Sequence, residues 1–129
     1  MKKILVLLFV STILFLGCTK EEALPSVKGR KNISTDIIEE YLYEWDREDQ
    51  NKIIRITKIY TYVNPSTKKY EEKTIDCENY KRQGSLYSCK VIQETDRVIY
   101  KEIDSRDSSG TKEEIIKLLE DNGYRIVEE

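Results

Sequence analysis

The chain has 129 residues, with 22 basic and 24 acidic side chains, a net charge of −2 and no histidine. Both signs of charge are mixed along the chain, without the basic stripe typical of nucleic-acid binding, so we expect no nucleic-acid partner. The lack of histidine excludes Ser-His and Cys-His catalytic pairs and histidine-containing metal sites.

The first eighteen residues have the pattern of a bacterial export signal. Two lysines precede an apolar run of thirteen residues, Ile4 to Leu16, and Cys18 follows after one glycine. A spanning helix needs about 20 apolar residues, so this run is too short to cross a membrane comfortably. It has the length of a cleavable hydrophobic region, and we predict a signal peptide over residues 1–17.

The segment Phe15-Leu16-Gly17-Cys18 resembles the lipobox of bacterial lipoproteins, although Phe15 stands where that family prefers leucine. The resemblance implies cleavage between Gly17 and Cys18, a thioether-linked diacylglycerol on Cys18 and acylation of the new amine. An aspartate at position 19 would resemble the retention signal for the inner membrane. Thr19 stands there instead, and the absence of that signal favours the outer membrane over the inner membrane. The resemblance covers the signal and the lipobox, not the folded domain.

The predicted anchor determines the expected compartment. Two or three acyl chains hold a protein on a membrane almost permanently. Residues 18–32 are polar, contain Pro25 and Gly29 and show no hydrophobic period, so we predict a lipidated N-terminus and flexible tether there. Residues 33–129 are then a single extracytoplasmic domain in the bacterial cell envelope, with the membrane as a partner through the lipid.

Residues 34–45 fit two patterns. The apolar positions that would share one helical face are Ile37, Ile38, Tyr41, Leu42 and Trp45. In a strand, Tyr41, Tyr43 and Trp45 would instead alternate on one face, and residues 46–51 would form a hairpin turn. The aromatic content favours the strand, but the number of matching positions favours the helix, which we prefer.

The middle of the chain has the alternation of half-buried strands. The four segments concerned are Lys52 to Val63, Tyr70 to Cys77, Leu86 to Gln93 and Arg97 to Ile103. Asn64-Pro65-Ser66 and Glu94-Thr95-Asp96 are turn signals between them. Because sequential strands with short loops pair in antiparallel fashion, we predict a meander.

Cys77 and Cys89 are predicted to form a disulfide, since export would place this pair in an oxidising compartment. If the turn over residues 81–84 is symmetric, Cys77 faces Cys89 and Ile75 faces Val91 across a hairpin. A bridge closing a loop of this size contributes about 3 kcal/mol. Two thiols without histidine make a poor zinc site, so we predict no metal and no cofactor.

The C-terminal region carries a helix signal. Thr111 and Glu114 have the spacing of a capping box, and Gly123 stands where a helix ends. The apolar face of this helix is Ile115, Ile116, Leu118 and Leu119. With Tyr124 to Val127 as a last strand, the sequence predicts an α+β fold: an antiparallel meander of four to five strands, packed by a C-terminal helix and followed by a short final strand.

The chain contains nine tyrosines and one tryptophan, and we place a candidate binding surface around Tyr60 and Tyr62. Tyrosine offers rigid, amphipathic contact area to protein or glycan partners. The competing explanation is that tyrosine is simply enriched in strands.

No glycine-rich phosphate loop or nucleophile elbow is present, and none of the many acidic pairs stands out, so we expect no enzyme. The leading hypothesis is a membrane-anchored envelope lipoprotein with a non-enzymatic binding or structural role, acting on another envelope protein or a glycan. The alternative is a small inhibitor or exclusion lipoprotein, of the type that blocks lysozymes, phages or conjugation.

Overall fold

A computed structural model describes residues 24–127 of the chain. The predicted signal peptide, Cys18 and the first part of the predicted tether lie outside these residues. The strands are β1 (Ser26–Ser34), β2 (Ile37–Asp46), β3 (Asp49–Val63), β4 (Tyr87–Glu94), β5 (Arg97–Asp104), β6 (Ser108–Ser109) and β7 (Arg125–Val127). The helices are α1 (Lys69–Lys81) and α2 (Lys112–Asp121). Of the described helices, neither is long and apolar enough to cross a membrane.

The strands form one antiparallel sheet of seven, in the order β4-β5-β3-β2-β1-β7, with β6 paired to β3. The predicted α+β class, dominated by an antiparallel sheet, is confirmed. The arrangement is richer than a meander of four to five strands. Strands β1 to β3 follow one another as neighbours, whereas α1 separates β3 from the β4–β5 hairpin, and β5 rather than β4 joins the sheet next to β3.

Both helices lie on the same face of the sheet, which we call the helix-bearing face. Cys77 of α1 packs with Tyr62 and Tyr100, and residues of α2 pack with Trp45. Strand register places Tyr62 and Tyr100 on one side of the sheet, because Tyr62 and Tyr60 share a face of β3 and Tyr60 pairs with Tyr100. The sheet therefore carries two separate clusters of buried side chains, one under each helix.

The helix α2 begins as its capping box predicts. The backbone N–H of Glu114 donates to Thr111 Oγ1 over 3.1 Å, and the backbone N–H of Thr111 donates to Glu114 Oε1 over 2.8 Å. Its inward side chains, Ile115 and Leu119, are buried against the first strands of the sheet. Such packing of one apolar face is the ordinary source of helix stability in a small domain.

The preference for a helix over residues 34–45 is wrong, because this segment is strand β2. The strand pairs on both sides, and Glu40 and Glu44 form ion pairs across strands with Arg30 (2.7 Å) and Arg55 (2.6 Å). The apolar positions of this segment match a helical period without forming a helix. The alternating aromatics carried the correct signal, since they face α2 from the sheet.

The prediction of a strand over residues 70–77 is also wrong, since this segment belongs to α1. Lysines and carboxylates three residues apart pair along the helix, as in Lys73 with Asp76 at 3.2 Å. The predicted Ile75–Val91 pair does not form, and the Ile75 side chain is 61% exposed. Cys77 and Cys89 do form a disulfide, as predicted, with their Cα atoms 5.6 Å apart. The bond joins a helix to a strand rather than two strands.

The predicted tether is too long, because residues 26–34 form strand β1, which pairs with β2 and β7. Gly29 was one basis for the predicted tether, but in the structure it lies in a closely packed part of β1. A Cβ atom at Gly29 would lie 3.0 Å from Leu119 Cδ1 and 3.2 Å from Tyr124 Cβ. The glycine is therefore what allows the C-terminal segment to approach β1.

Candidate functional site

A groove with a volume of about 700 Å³ lies on the helix-bearing face of the described part of the chain. Strands β2, β3 and β5 form its floor, and α1 with the residues after it forms a wall. We call it the tyrosine groove. Its lining residues are Ile33, Ile37, Glu39, Lys58, Tyr60, Tyr62, Tyr100 and Glu102 from the strands, and Lys73, Asp76, Asn79, Tyr80 and Gln83 from the wall.

The floor of the tyrosine groove is a row of aromatic rings. Tyr60 lies between Glu39 on β2 and Tyr100 on β5 in the strand register. The rings of Tyr60 and Tyr62 stack with their centroids 6.1 Å apart. Tyr62 and Tyr100 are buried at 8% and 2% exposure, whereas Tyr60 is half-buried. Tyr60 is thus the ring of this row that a ligand in the groove can reach.

Two lysines lie over these rings. Nζ of Lys73, on α1, is 5.1 Å from the ring centroids of both Tyr62 and Tyr100. Nζ of Lys58, on β3, is 5.1 Å from the ring centroid of Tyr60. Each such cation–π contact contributes about 0.5–1 kcal/mol at a partly exposed site. The contacts of Lys73 are among those that hold α1 over the sheet.

Glu39 is a buried carboxylate in the groove, at 8% exposure. The hydroxyl of Tyr124 donates to its Oε1 over 2.8 Å, and Nζ of Lys58 lies 3.6 Å from its Oε2. A buried carboxylate needs such partners, because desolvation of an unpaired charge is costly. Glu39 therefore connects the groove to the C-terminal segment that carries Tyr124.

The other carboxylates of the groove also have partners. The hydroxyl of Tyr100 donates to Glu102 Oε2 over 2.8 Å, and Nζ of Lys73 lies 3.2 Å from Asp76 Oδ2. Three carboxylates and two ammonium groups thus line the groove. Their charges nearly cancel, and each of the five has a partner within the protein.

Two tyrosines and two lysines of the groove have pKa values that lie further from neutral pH than their ordinary values. Burial raises the pKa of Tyr60 and of Tyr100, and the hydrogen bond to Glu102 raises the pKa of Tyr100 further. Burial alone would lower the pKa of Lys58 and Lys73. Neighbouring tyrosines outweigh that effect, with Asp76 adding to it for Lys73, so the pKa of each lysine lies above its ordinary value.

The structure brings together most of the residues that the sequence singled out. Tyr60 and Tyr62 lie in the groove, and the Cys77–Cys89 disulfide lies beside it, in one cluster with Tyr62 and Tyr100. Cys18 lies outside the described residues. The whole contribution of α1 was missed because this segment was predicted as a strand. Lys73, Asp76, Tyr80 and Gln83 at helical spacing were the signal that could have revealed it.

Residues 24–127 contain no cluster of cysteine and carboxylate side chains that could hold a metal ion. No family model, no curated protein and no solved structure matches the chain. The chemistry of the groove therefore has to be inferred from its own residues. It offers the half-buried rings of Tyr60 and Tyr80, hydrogen-bonding groups of both charges, and space between a helix and a sheet, which together suit binding.

Proposed function

We propose that this chain is a lipid-anchored lipoprotein of the bacterial cell envelope, with a non-enzymatic binding role exercised through the tyrosine groove. The anchor is Cys18, and the outer membrane is its expected site. The observation that supports the binding role most directly is the groove itself. It places Tyr60 and Tyr62, the residues chosen from sequence, among polar side chains in a space of about 700 Å³, within the usual size range of ligand sites.

The ionisation of the groove supports binding over catalysis. General acid–base catalysis works best with a pKa near the operating pH. The shifts at Tyr60, Tyr100, Lys58 and Lys73 all move away from neutrality. A catalytic site would be expected to shift such groups toward neutral pH. These side chains are suited instead to hold a fixed charge or a fixed proton, as recognition requires.

The binding role is tested by crosslinking the acylated protein in intact cells and identifying the envelope components attached to it. Tyr60→Ser removes the accessible ring of the floor and should abolish the principal crosslink. Tyr70→Ser is the matched control, because Tyr70 lies on α1 at 36% exposure and outside the groove lining. A crosslinking pattern that survives Tyr60→Ser in a folded protein refutes the groove as the binding surface. Capture of a lysozyme or a phage protein would support the inhibitor alternative.

The anchor is tested independently by feeding cells radiolabelled fatty acid. The wild-type protein should take up the label and fractionate with the outer membrane, whereas Cys18→Ser should remain unlabelled. Cys89→Ser serves as a control for the loss of a cysteine elsewhere. Label on the Cys18→Ser protein would show that the lipid is attached at another residue.

A further inference from the structure

We infer that the ligand of the tyrosine groove is an uncharged, hydroxyl-rich glycan, bound as a short oligosaccharide stretch. This inference rests on the proposed binding function of the groove and adds the chemical class of the ligand. Three properties of the groove lead to it: its polar helical wall, its balanced charges and its accessible rings.

The wall that α1 presents to the groove is polar. A helix that covers a sheet ordinarily turns an apolar stripe toward it. Here the residues facing the groove include Asp76, Asn79, Tyr80 and Gln83, and Cys77 is the buried residue of α1, which the structure describes in full. Side chains of this kind leave the space between helix and sheet unfilled by core. They offer amide, hydroxyl and carboxylate groups to whatever enters it.

The charges of the groove argue against a highly charged ligand. Proteins that bind polyanions gather cations without matching anions, and the reverse holds for polycations. In the groove, Lys58 lies beside Glu39 and Lys73 beside Asp76. A phosphate-rich ligand would come close to the carboxylates of these pairs, and a polybasic ligand would come close to their ammonium groups. Either ligand would bring like charges together once water is removed. A neutral ligand avoids that repulsion.

Sugar hydroxyls fit this set of partners. Each hydroxyl both donates and accepts a hydrogen bond, so it can donate to Glu102 or Asp76 and accept from Asn79 or Gln83. The C–H face of a sugar ring is apolar and can lie on an aromatic ring, and the half-buried rings of Tyr60 and Tyr80 both line the groove. A peptide would use the same hydrogen bonds, but it would need apolar pockets for its side chains, and only Ile33 and Ile37 among the lining residues are aliphatic.

The class of ligand is tested with the full chain in detergent micelles and six tetrameric probes, followed by isotope-edited NMR. The neutral probes are chitotetraose, cellotetraose and maltotetraose. Tetragalacturonate and the deacetylated chitosan tetramer have similar shapes with negative or positive charge, and tetra-alanine represents a peptide. We expect at least one neutral tetrasaccharide to shift the resonances of Tyr60 and Asn79 at millimolar concentration. The charged sugars should bind about tenfold more weakly or not at all.

Two variants confine the effect to the groove. Tyr60→Ala, on β3, should weaken binding of the neutral sugar by about tenfold, whereas Tyr70→Ala, on α1 outside the groove lining, should leave it unchanged. The inference is overturned if no neutral tetrasaccharide binds, if a charged sugar or tetra-alanine binds more tightly, or if both variants weaken binding equally. A protein crosslinked through Tyr60 in cells, combined with no sugar binding, would overturn the glycan inference and leave the proposed binding function intact.

Discussion

Removal of the Cys77–Cys89 disulfide should release α1 from the sheet while the rest of the fold persists. The bond links α1 to β4 across a sequence separation of 12 residues. The chain-entropy relation gives about 3 kcal/mol for a loop of this length. For a domain of this size, that corresponds to a fall of about 10–15 °C in the unfolding midpoint.

The loss should be local because α1 has little else to hold it. Cys77 is its buried residue, and its other contacts with the sheet include two half-buried lysines over Tyr62 and Tyr100 and an edge contact between the rings of Tyr80 and Tyr87. The helix α2, by contrast, buries both Ile115 and Leu119. We therefore expect partial opening at the α1 end to precede global unfolding.

The assay combines urea unfolding with hydrogen exchange on Cys77→Ala/Cys89→Ala and on wild-type protein with and without reductant. Backbone amides of α1 should lose most of their protection in the variant, whereas amides of β2 and β3 should lose far less. Ser88→Ala, an exposed neighbour on β4, controls for substitution in that strand. Equal protection of α1 with and without the disulfide would refute the reasoning, because other contacts would then suffice to dock the helix.

Three further predictions concern other parts of the fold. Gly29→Val should destabilise the protein by about 1–3 kcal/mol in urea unfolding, because a side chain there meets Leu119; an unchanged midpoint would show that α2 can shift without cost. Thr111→Ala should cost about 1 kcal/mol by loss of the capping hydrogen bond from Glu114, whereas Thr111→Ser should retain most of the stability in the same assay. The pKa of Tyr100 is raised by burial and by Glu102, so the folded state keeps this proton above pH 10.0 while the unfolded chain loses it, and stability should fall as the pH rises beyond that value. Tyr100→Phe should make that alkaline fall shallower above about pH 10, and an identical slope in both proteins would contradict the assignment.

The elements that sequence predicted well are those specified by neighbouring residues. The β4–β5 hairpin combines alternating side chains with a tight connection at Glu94-Thr95-Asp96, and its two strands pair as expected. The start of α2 is specified by Thr111 and Glu114 within one turn. Local hydrogen bonds decide these features, and local sequence is enough to reveal them.

The elements that sequence missed depend on partners far along the chain. Strand β1 has polar residues and Gly29, and its conformation follows from pairing with β2 and β7 rather than from its own composition. Strand β2 carried both periodicities, and pairing on both of its edges selected the strand. The groove was predictable only as far as Tyr60 and Tyr62, because its second wall required knowing that residues 69–81 are helical.

The two helices of the helix-bearing face are held to the sheet in different ways. An apolar inner face, like that of α2, would draw a helix onto the sheet and fill the space beneath it with side chains. The inner face of α1 is polar, so hydrophobic packing alone gives it little reason to stay. A covalent link at Cys77, which packs with Tyr62 and Tyr100, fixes the helix with little such packing, so that Asp76 and Asn79, with Gln83 after the helix, line an open groove. The disulfide is therefore as much a condition for an open polar groove as it is a source of stability, and a reduced protein should lose the groove before it loses its fold.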